Sequence, residues 1–214
     1  MSVGQVVRAF DSGPVIECHF TINPGVEPSI EFNLEATLNI SVTGVERANS
    51  LFIYADQNLM EALNVTYVEG HLTLGLKPNR SVTTDKTFEI SLSIPRMAEL
   101  TVSKTGKVVF QQMQGSLIHC EIRKDAVVTA LQGSLGQLSL TMSENAQFHG
   151  STIETDDASV ILFDHAVAYI KTPKQDLEIT ARGDSICYYT GSEPRCSEPP
   201  KIKNNAALRA YQPI

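Results

Sequence analysis

The chain has 214 residues, 42% of them hydrophobic and 19% charged, a globular balance with enough material for a buried core. A formal net charge of -7, without any Lys/Arg run, repels phosphate backbones, so no nucleic-acid partner is expected. No apolar run approaches the ~20 residues of a spanning helix, so no transmembrane segment is expected. The mixed stretch Met1–Phe10 does not read as a signal peptide, which leaves a cytoplasmic protein or one whose leader has been removed.

In chain order the pattern is almost wholly that of strands. Val15–Ile22 is a β-branched run ending at the turn signal Asn23-Pro24-Gly25. Leu38–Val42 alternates and stops before Gly44, and Leu51–Ala55 is a short apolar strand. Asp56–Leu63 is the best helical segment, with Asp56 as its candidate cap and Leu59, Met60 and Leu63 on one face, but it is barely two turns, and a loop or a single helical turn fits it equally well. Val65–Leu74 predicts a hairpin turning at Glu69-Gly70. Phe88, Ile90, Leu92 and Ile94 share one face of a strand that Pro95 ends.

Beyond Pro95 the units shorten and repeat. Gly115-Ser116-Leu117 recurs as Gly133-Ser134-Leu135, with an echo at Gly150-Ser151-Thr152, which sets a period of about 18 residues, in the solenoid range. Alternating apolar sets sit between these marks: Ile118, Cys120 and Ile122; Leu138, Leu140 and Met142; Val160 and Leu162; Ala168 and Ile170; Leu177 and Ile179. A second cluster runs Val108/Phe110, Ala126/Val128 and Ala146/Phe148. One such strand cannot bury its inner face alone, whereas stacked coils pair their backbones and pile like residues into an inner column. Ser197-Glu198-Pro199-Pro200-Lys201 breaks the pattern, leaving a tail or cap to Ile214 that would hide the last open edge of the stack.

The four cysteines, Cys18, Cys120, Cys187 and Cys196, form no CxxC pair, so neither a zinc ribbon nor a thioredoxin motif is present. Cys120 falls on an inward face as a small apolar residue. Cys187 and Cys196 flank a turn-rich segment; a disulfide closing it fits an oxidising compartment, and two unpaired thiols are the alternative.

Catalytic signatures are missing from the sequence. The five histidines, His19, His71, His119, His149 and His165, form no HExxH, and neither GxSxG nor a P-loop occurs. His119 and Cys120 are adjacent, so on a strand they face opposite ways. His149 and His165 lie about one repeat apart, and with Asp164, Asp156 and Asp157 they are the one conceivable metal cluster; solvated turn residues are the plainer reading. The same aspartates are the only candidates for polysaccharide cleavage, and no aromatic sugar-stacking platform is evident beside them. No catalytic residue, metal or cofactor is therefore expected. Asn39, Asn64 and Asn79 open glycosylation sequons of the kind that occur by chance.

Five segments follow one another in a set order: Arg8-Ala9-Phe10, Ile53 to Leu59 followed by the 69–74 hairpin, Ile94-Pro95 with Leu100 to Ser103, Gly183 to Ile186, and Tyr188 to Pro194. In this order they resemble the putative auto-transporter adhesin family with a head GIN domain, common in secreted proteins of Bacteroidetes and relatives. The Ser-Gly turns usual in that family are here Gly-Ser, Asp or Glu. The resemblance covers most of residues 8–195. It implies an all-β fold with β-helix-like stacking, an exported location (extracellular, periplasmic or outer-membrane-associated) and no catalytic site.

The expected architecture is thus all-β: a less regular N-terminal β region over 1–96, a β-helix-like stack over 97–196, and a C-terminal tail or cap over 197–214. The expected function is a non-enzymatic, adhesin-like binding module for a surface ligand, protein or carbohydrate, with homo-oligomerisation open. The alternative is an intracellular self-assembling β-solenoid scaffold like the bactofilins; a carbohydrate-active enzyme stands third.

Overall fold

The structure is a computed structural model. It describes residues 4–10, 13–19, 27–44, 50–54, 57–80 and 89–212, of which 4–10, 13–19, 54 and 57–59 by backbone alone. The Asn23-Pro24-Gly25 turn and the side chains of Cys18 and His19 lie outside the described residues.

The first part mixes antiparallel and parallel pairing. β1 (Gly4–Phe10) and β2 (Gly13–His19) are antiparallel. β3 (Ser29–Phe32) and β4 (Thr37–Val42) follow, and β5 (Ser50–Tyr54) lies antiparallel to β2. The short helix α1 (Gln57–Ala62) leads into the hairpin of β6 (Leu63–Val68) and β7 (His71–Leu76). Its two turn residues, Glu69 and Gly70, have φ of 51° and 87°, the mirror-image turn that matches the twist of a tight hairpin. β8 (Glu89–Ile94) completes this part, antiparallel to β5 and parallel to β4.

A parallel solenoid of about six turns occupies the rest. Its strands are β9 (Glu99–Val102), β10 (Lys107–Ile122), β11 (Val127–Ala130), β12 (Gly133–Met142), β13 (Gln147–Gly150) and β14 (Ile153–Leu162). They continue as β15 (Val167–Lys171), β16 (Asp176–Ala181), β17 (Ile186–Thr190), β18 (Lys201–Ile202) and β19 (Ala207–Ala210). Each strand pairs with the one a coil later: β11 with β13, β12 with β14, β13 with β15, β14 with β16 and β15 with β17. Residues after Pro200 join the same stack, β18 on β16 and β19 on β17.

The stacking starts upstream of Pro95. β3 lies between β7 and β9, and β4 between β8 and β10, all parallel. The spatial order of coils is therefore β7–β8, then β3–β4, then β9–β10. The first of these coils in the chain is the second in the stack.

Alternation drives this geometry. Inward residues of the strands are buried and outward ones half-buried, as in β4 and β11. Ile118, Cys120, Ile122, Leu138, Leu140, Met142, Val160, Leu162, Leu177 and Ile179 form one inner wall, and each is at most 2% exposed. Ala168 and Ile170 stack instead in the wall of Val108 and Phe110, because Val167–Lys171 pairs with the first side of each coil.

The period is 20 residues, not 18. Met113 pairs with Gly133 and Gly115 with Leu135, so the two Gly-Ser-Leu marks are not equivalent positions. Both spacings are even, so in–out alternation satisfies either; the corner decides. Lys104, Lys124, Glu144, Asp164, Gly183 and Asn204 all have φ between 58° and 78°, at intervals of 20, 20, 20, 19 and 21 residues. Two places on, each coil carries a small residue: Gly106, Ala126, Ala146, Ala166, Ser185 and Ala206. A Cβ at Gly106 would sit 3.0 Å from the Leu34 carbonyl oxygen and 3.1 Å from the Phe32 ring, which shows how closely the corner is packed.

A left-handed backbone at a long-chain residue is costly, and glycine removes that cost. Lys124→Gly is expected to raise the unfolding free energy by about 1 kcal/mol, read as a higher denaturant midpoint at unchanged slope.

Cys187, in register with Ala168 and Leu208, is buried in the column, while Cys196 is half-buried against the core. Both carry free thiols here, as does Cys120. Burial pushes the thiols of Cys120 and Cys187 up to about 12, and burial, then Asp176 and Glu193, raises that of Cys196. Timed alkylation of the reduced protein should label Cys196 ahead of the other two, which react only on unfolding.

Candidate functional site

The outer surface of the first side, β11–β13–β15–β17–β19, differs from that of the third side, formed by residues 118–122, 138–142, 157–162 and 176–181. Pairing sets its columns. One outward column runs Lys107, Val127, Gln147, Val167, Ile186, Ala207, and the next Val109, Thr129, His149, Tyr169, Tyr188, Arg209. On the third side the outward residues are mainly polar, such as His119, Ser139, Thr141, Ser159 and Glu178, and His119 Nδ1 lies 2.8 Å from Ser139 Oγ.

Parallel strands about 4.8 Å apart bring side chains of one column to stacking distance. His149 and Tyr169 stack at 5.0 Å with planes 10° apart, and Tyr169 and Tyr188 at 4.9 Å and 12°. Tyr211, just past β19, meets Tyr169 and Tyr188 edge-on at 5.2 and 6.0 Å. Tyr169 thus carries a ring on each face, His149 on one and Tyr188 on the other. Val167 and Ile186 flank these half-buried tyrosines in the neighbouring outward column. Burial lowers the pKa of His149 and raises that of Tyr169, whose neighbours Tyr188 and Tyr211 add to the rise.

The alternation of the sequence does not announce this ladder. Tyr169 and Tyr188 stand a coil apart in sequence and align only once the corner fixes the register. It equally separates the histidines: His149 belongs to the ladder, whereas His165 sits at the corner, 3.4 Å from Asp184. The corner is a polar ladder of its own. Asn145 Nδ2 donates to Asp125 at 2.9 Å, Asn205 Nδ2 donates to Asp184 at 2.8 Å, and Asp164 accepts from the Glu144 N–H at 3.2 Å.

The other aspartates also go separate ways. Asp156 meets Lys174 at 3.4 Å, and Asp157 lies in register between Gln137 and Asp176. Among the described residues no three His, Cys, Asp or Glu side chains gather as metal ligands. His71 pairs with Glu31 at 3.6 Å, across the parallel pairing of β3 and β7.

At the far end Asp176 accepts from Ser197 N at 2.6 Å and Ser197 Oγ at 2.7 Å. These bonds, the side-chain one first, hold its carboxyl below its ordinary value of 3.8. They tie the 195–197 segment to β16. The contribution is present above the ordinary pKa and is lost as pH falls through the lowered one. Asp176→Asn is therefore expected to speed amide exchange over residues 195–203 while leaving β12 and β14 protected.

The fold has solved counterparts. A putative adhesin from Bacteroides fragilis is 12% identical and superposes with a TM-score of 0.65 over 92% of this chain and 93% of its own. A putative adhesin from Parabacteroides distasonis is 13% identical, with a TM-score of 0.59 over 94% and 95%. A putative lipid binding protein from the same species is 13% identical, with a TM-score of 0.51 over 94% and 98%. At these identities the likeness is one of fold. No curated protein matches in sequence. The model of one family, described as "Putative auto-transporter adhesin, head GIN domain", matches residues 30–192, and with three-quarters of its length inside that match the chain belongs to this family.

Proposed function

We propose that this protein is a non-enzymatic, adhesin-like binding module of the cell envelope or of secreted material, and that it meets a protein partner through the Tyr169–Tyr188–Tyr211 face. The observation that carries the reading is the outward stripe of tyrosines between Val167 and Ile186, on a rigid sheet whose third side is mainly polar. Tyrosine edges and hydroxyls beside aliphatic residues suit a protein surface. A sugar ring needs an open aromatic face, and the stack leaves none between His149 and Tyr188. No helix among the described residues is long and apolar enough to cross a membrane.

The test is an array of bacterial and host surface proteins beside an array of glycans, probed with the wild type and with Tyr169→Ser/Tyr188→Ser. Binding on the protein array that the double variant loses supports the proposal. Binding to glycans alone, or protein binding that survives the double substitution, overturns it. A turnover screen against polysaccharides is the companion test of the non-enzymatic part.

A self-assembling scaffold is the second reading. Its support is the last coil: Ile202 is 37% exposed, Ala206 and Leu208 are only partly buried, and the outer edge of β19 pairs with no described strand. Light scattering over a concentration series decides it, since end-to-end growth gives ever larger particles and its absence gives discrete ones.

A further inference from the structure

A cleft of about 390 Å³ opens between the 95–97 turn and residues 114–117 of β10, and none of the ladder tyrosines lines it. Its size falls within the ~300–1,000 Å³ range of small-ligand sites. It exists because one inner column is missing a side chain. Gly115, Leu135 and Thr155 occupy the same position in successive coils. Leu135 is 2% exposed, whereas Gly115 fills nothing.

The backbone does not ask for glycine at 115. Its φ lies outside the left-handed region, and an added Cβ would meet only Leu135 Cδ2, at 3.9 Å. Gly133 and Gly136 differ, since a Cβ there would come within 2.1 and 2.6 Å of carbonyl oxygens. Gly115 thus keeps open a space that a side chain could occupy. The opposite wall is fixed in place: Gly44 N donates to the Pro95 carbonyl and Ala98 N to that of Pro28, both at 3.0 Å.

The lining has a definite chemistry. The exposed Arg96, Gln114 and Ser116 make no side-chain hydrogen bond or ion pair with a described residue. A guanidinium offers a planar fork that matches a carboxylate, and an amide and a hydroxyl beside it serve neighbouring polar groups. Met97, Pro95 and the 44%-exposed Leu117 form an aliphatic flank, without an aromatic ring for sugar stacking. Glu27 borders the same space, which opposes polyanions and accepts an N–H.

We propose that this cleft binds a small monocarboxylate with an aliphatic flank, of the kind that ends a peptide. Arg96 takes the carboxylate, Leu117 and Met97 the aliphatic group, and Gln114 and Ser116 the adjoining amide.

Titration of the whole protein with N-acetyl-Leu-Leu as free acid and as amide, followed by amide NMR shifts, tests it. The acid should shift residues of the 95–97 turn and 114–117, and the amide should bind at least about ten-fold more weakly. Arg96→Gln, an exposed position that leaves packing intact, should cost about ten-fold in affinity for the acid. Gly115→Leu should block binding by filling the space, with Gly115→Ala as the milder control, and Tyr188→Ser should change nothing. N-acetyl-leucine binding as well as the dipeptide would support the cleft with a free acid as its source; preference for the dipeptide would support it with a chain end. Equal binding of acid and amide, unchanged affinity in Arg96→Gln, or no shifts at about 10 mM acid would overturn the proposal.

Discussion

Phe148→Ala is expected to lower the unfolding free energy by about 3–5 kcal/mol, toward the upper end for a buried aromatic. The ring is fully buried and stacked in register between Val128 and Ala168. It also covers the next inward position of its own strand: a Cβ on Gly150 would lie 2.3 Å from the ring's Cε1. Large and small residues are thus complementary along the strand, and with Phe148 gone Gly150 has nothing with which to fill the void. The same contact predicts how the two sites couple. Gly150→Ala alone should destabilise by colliding with the ring, yet on the Phe148→Ala background it should recover part of the loss. Denaturant midpoints of the two single variants and the double variant measure this, and strict additivity would contradict the packing described.

Gly133→Val is the second large effect, expected to cost about 3 kcal/mol or more through overpacking. A Cβ at this position would lie 2.1 Å from the Met113 carbonyl oxygen and 2.9 Å from its carbon. The same two coils are laced here by the bond from Met113 N to the Gln132 carbonyl, at 3.0 Å. Backbone rather than a flexible tip is in the way, so the coils must part and the ladder beyond them shifts. Gly115→Ala, one coil earlier, should stay within about 0.5 kcal/mol of wild type. A calorimetric comparison of these two glycine variants separates a steric requirement from a merely small residue.

Acid sensitivity has its own expected pattern. Burial in the ladder lowers the pKa of His149 from 6.5, so below that value the unfolded chain takes up a proton that the folded one resists. Its contribution is whole above the ordinary pKa and declines as pH falls toward the folded one. His149→Phe should flatten the change in thermal midpoint between about pH 7 and about pH 5.

Much of the fold was legible because alternation reports burial directly. Ile118, Cys120 and Ile122 sit where the pattern puts them, and the Glu69-Gly70 turn has the backbone its residues favour. The repeat length was not legible from Gly-Ser marks, since an even error preserves alternation. The corner held the better signal, a turn residue followed two places later by a small one. Counting from it also reveals the ladder, because His149, Tyr169 and Tyr188 each follow the left-handed residue of their coil by five. The Arg96 cleft had no local signature. It depends on Gly115 meeting Leu135 in register and on the 95–97 turn packing beside residues distant in sequence.

The displaced position of β3–β4 bears on how the chain assembles as it is made. Ser29 pairs with His71, and Thr37 with both Glu89 and Lys107, separations of 42, 52 and 70 residues, whereas later coils join partners about 20 residues away. Made before both of its neighbours in the stack, β3–β4 gains the first only with β7–β8 and the second only with β9–β10. Long closures of this kind are slow, and short ones are fast. Nascent chains halted before His71 should therefore leave β3–β4 open to protease, and those extended past Lys107 should gain protection one coil at a time.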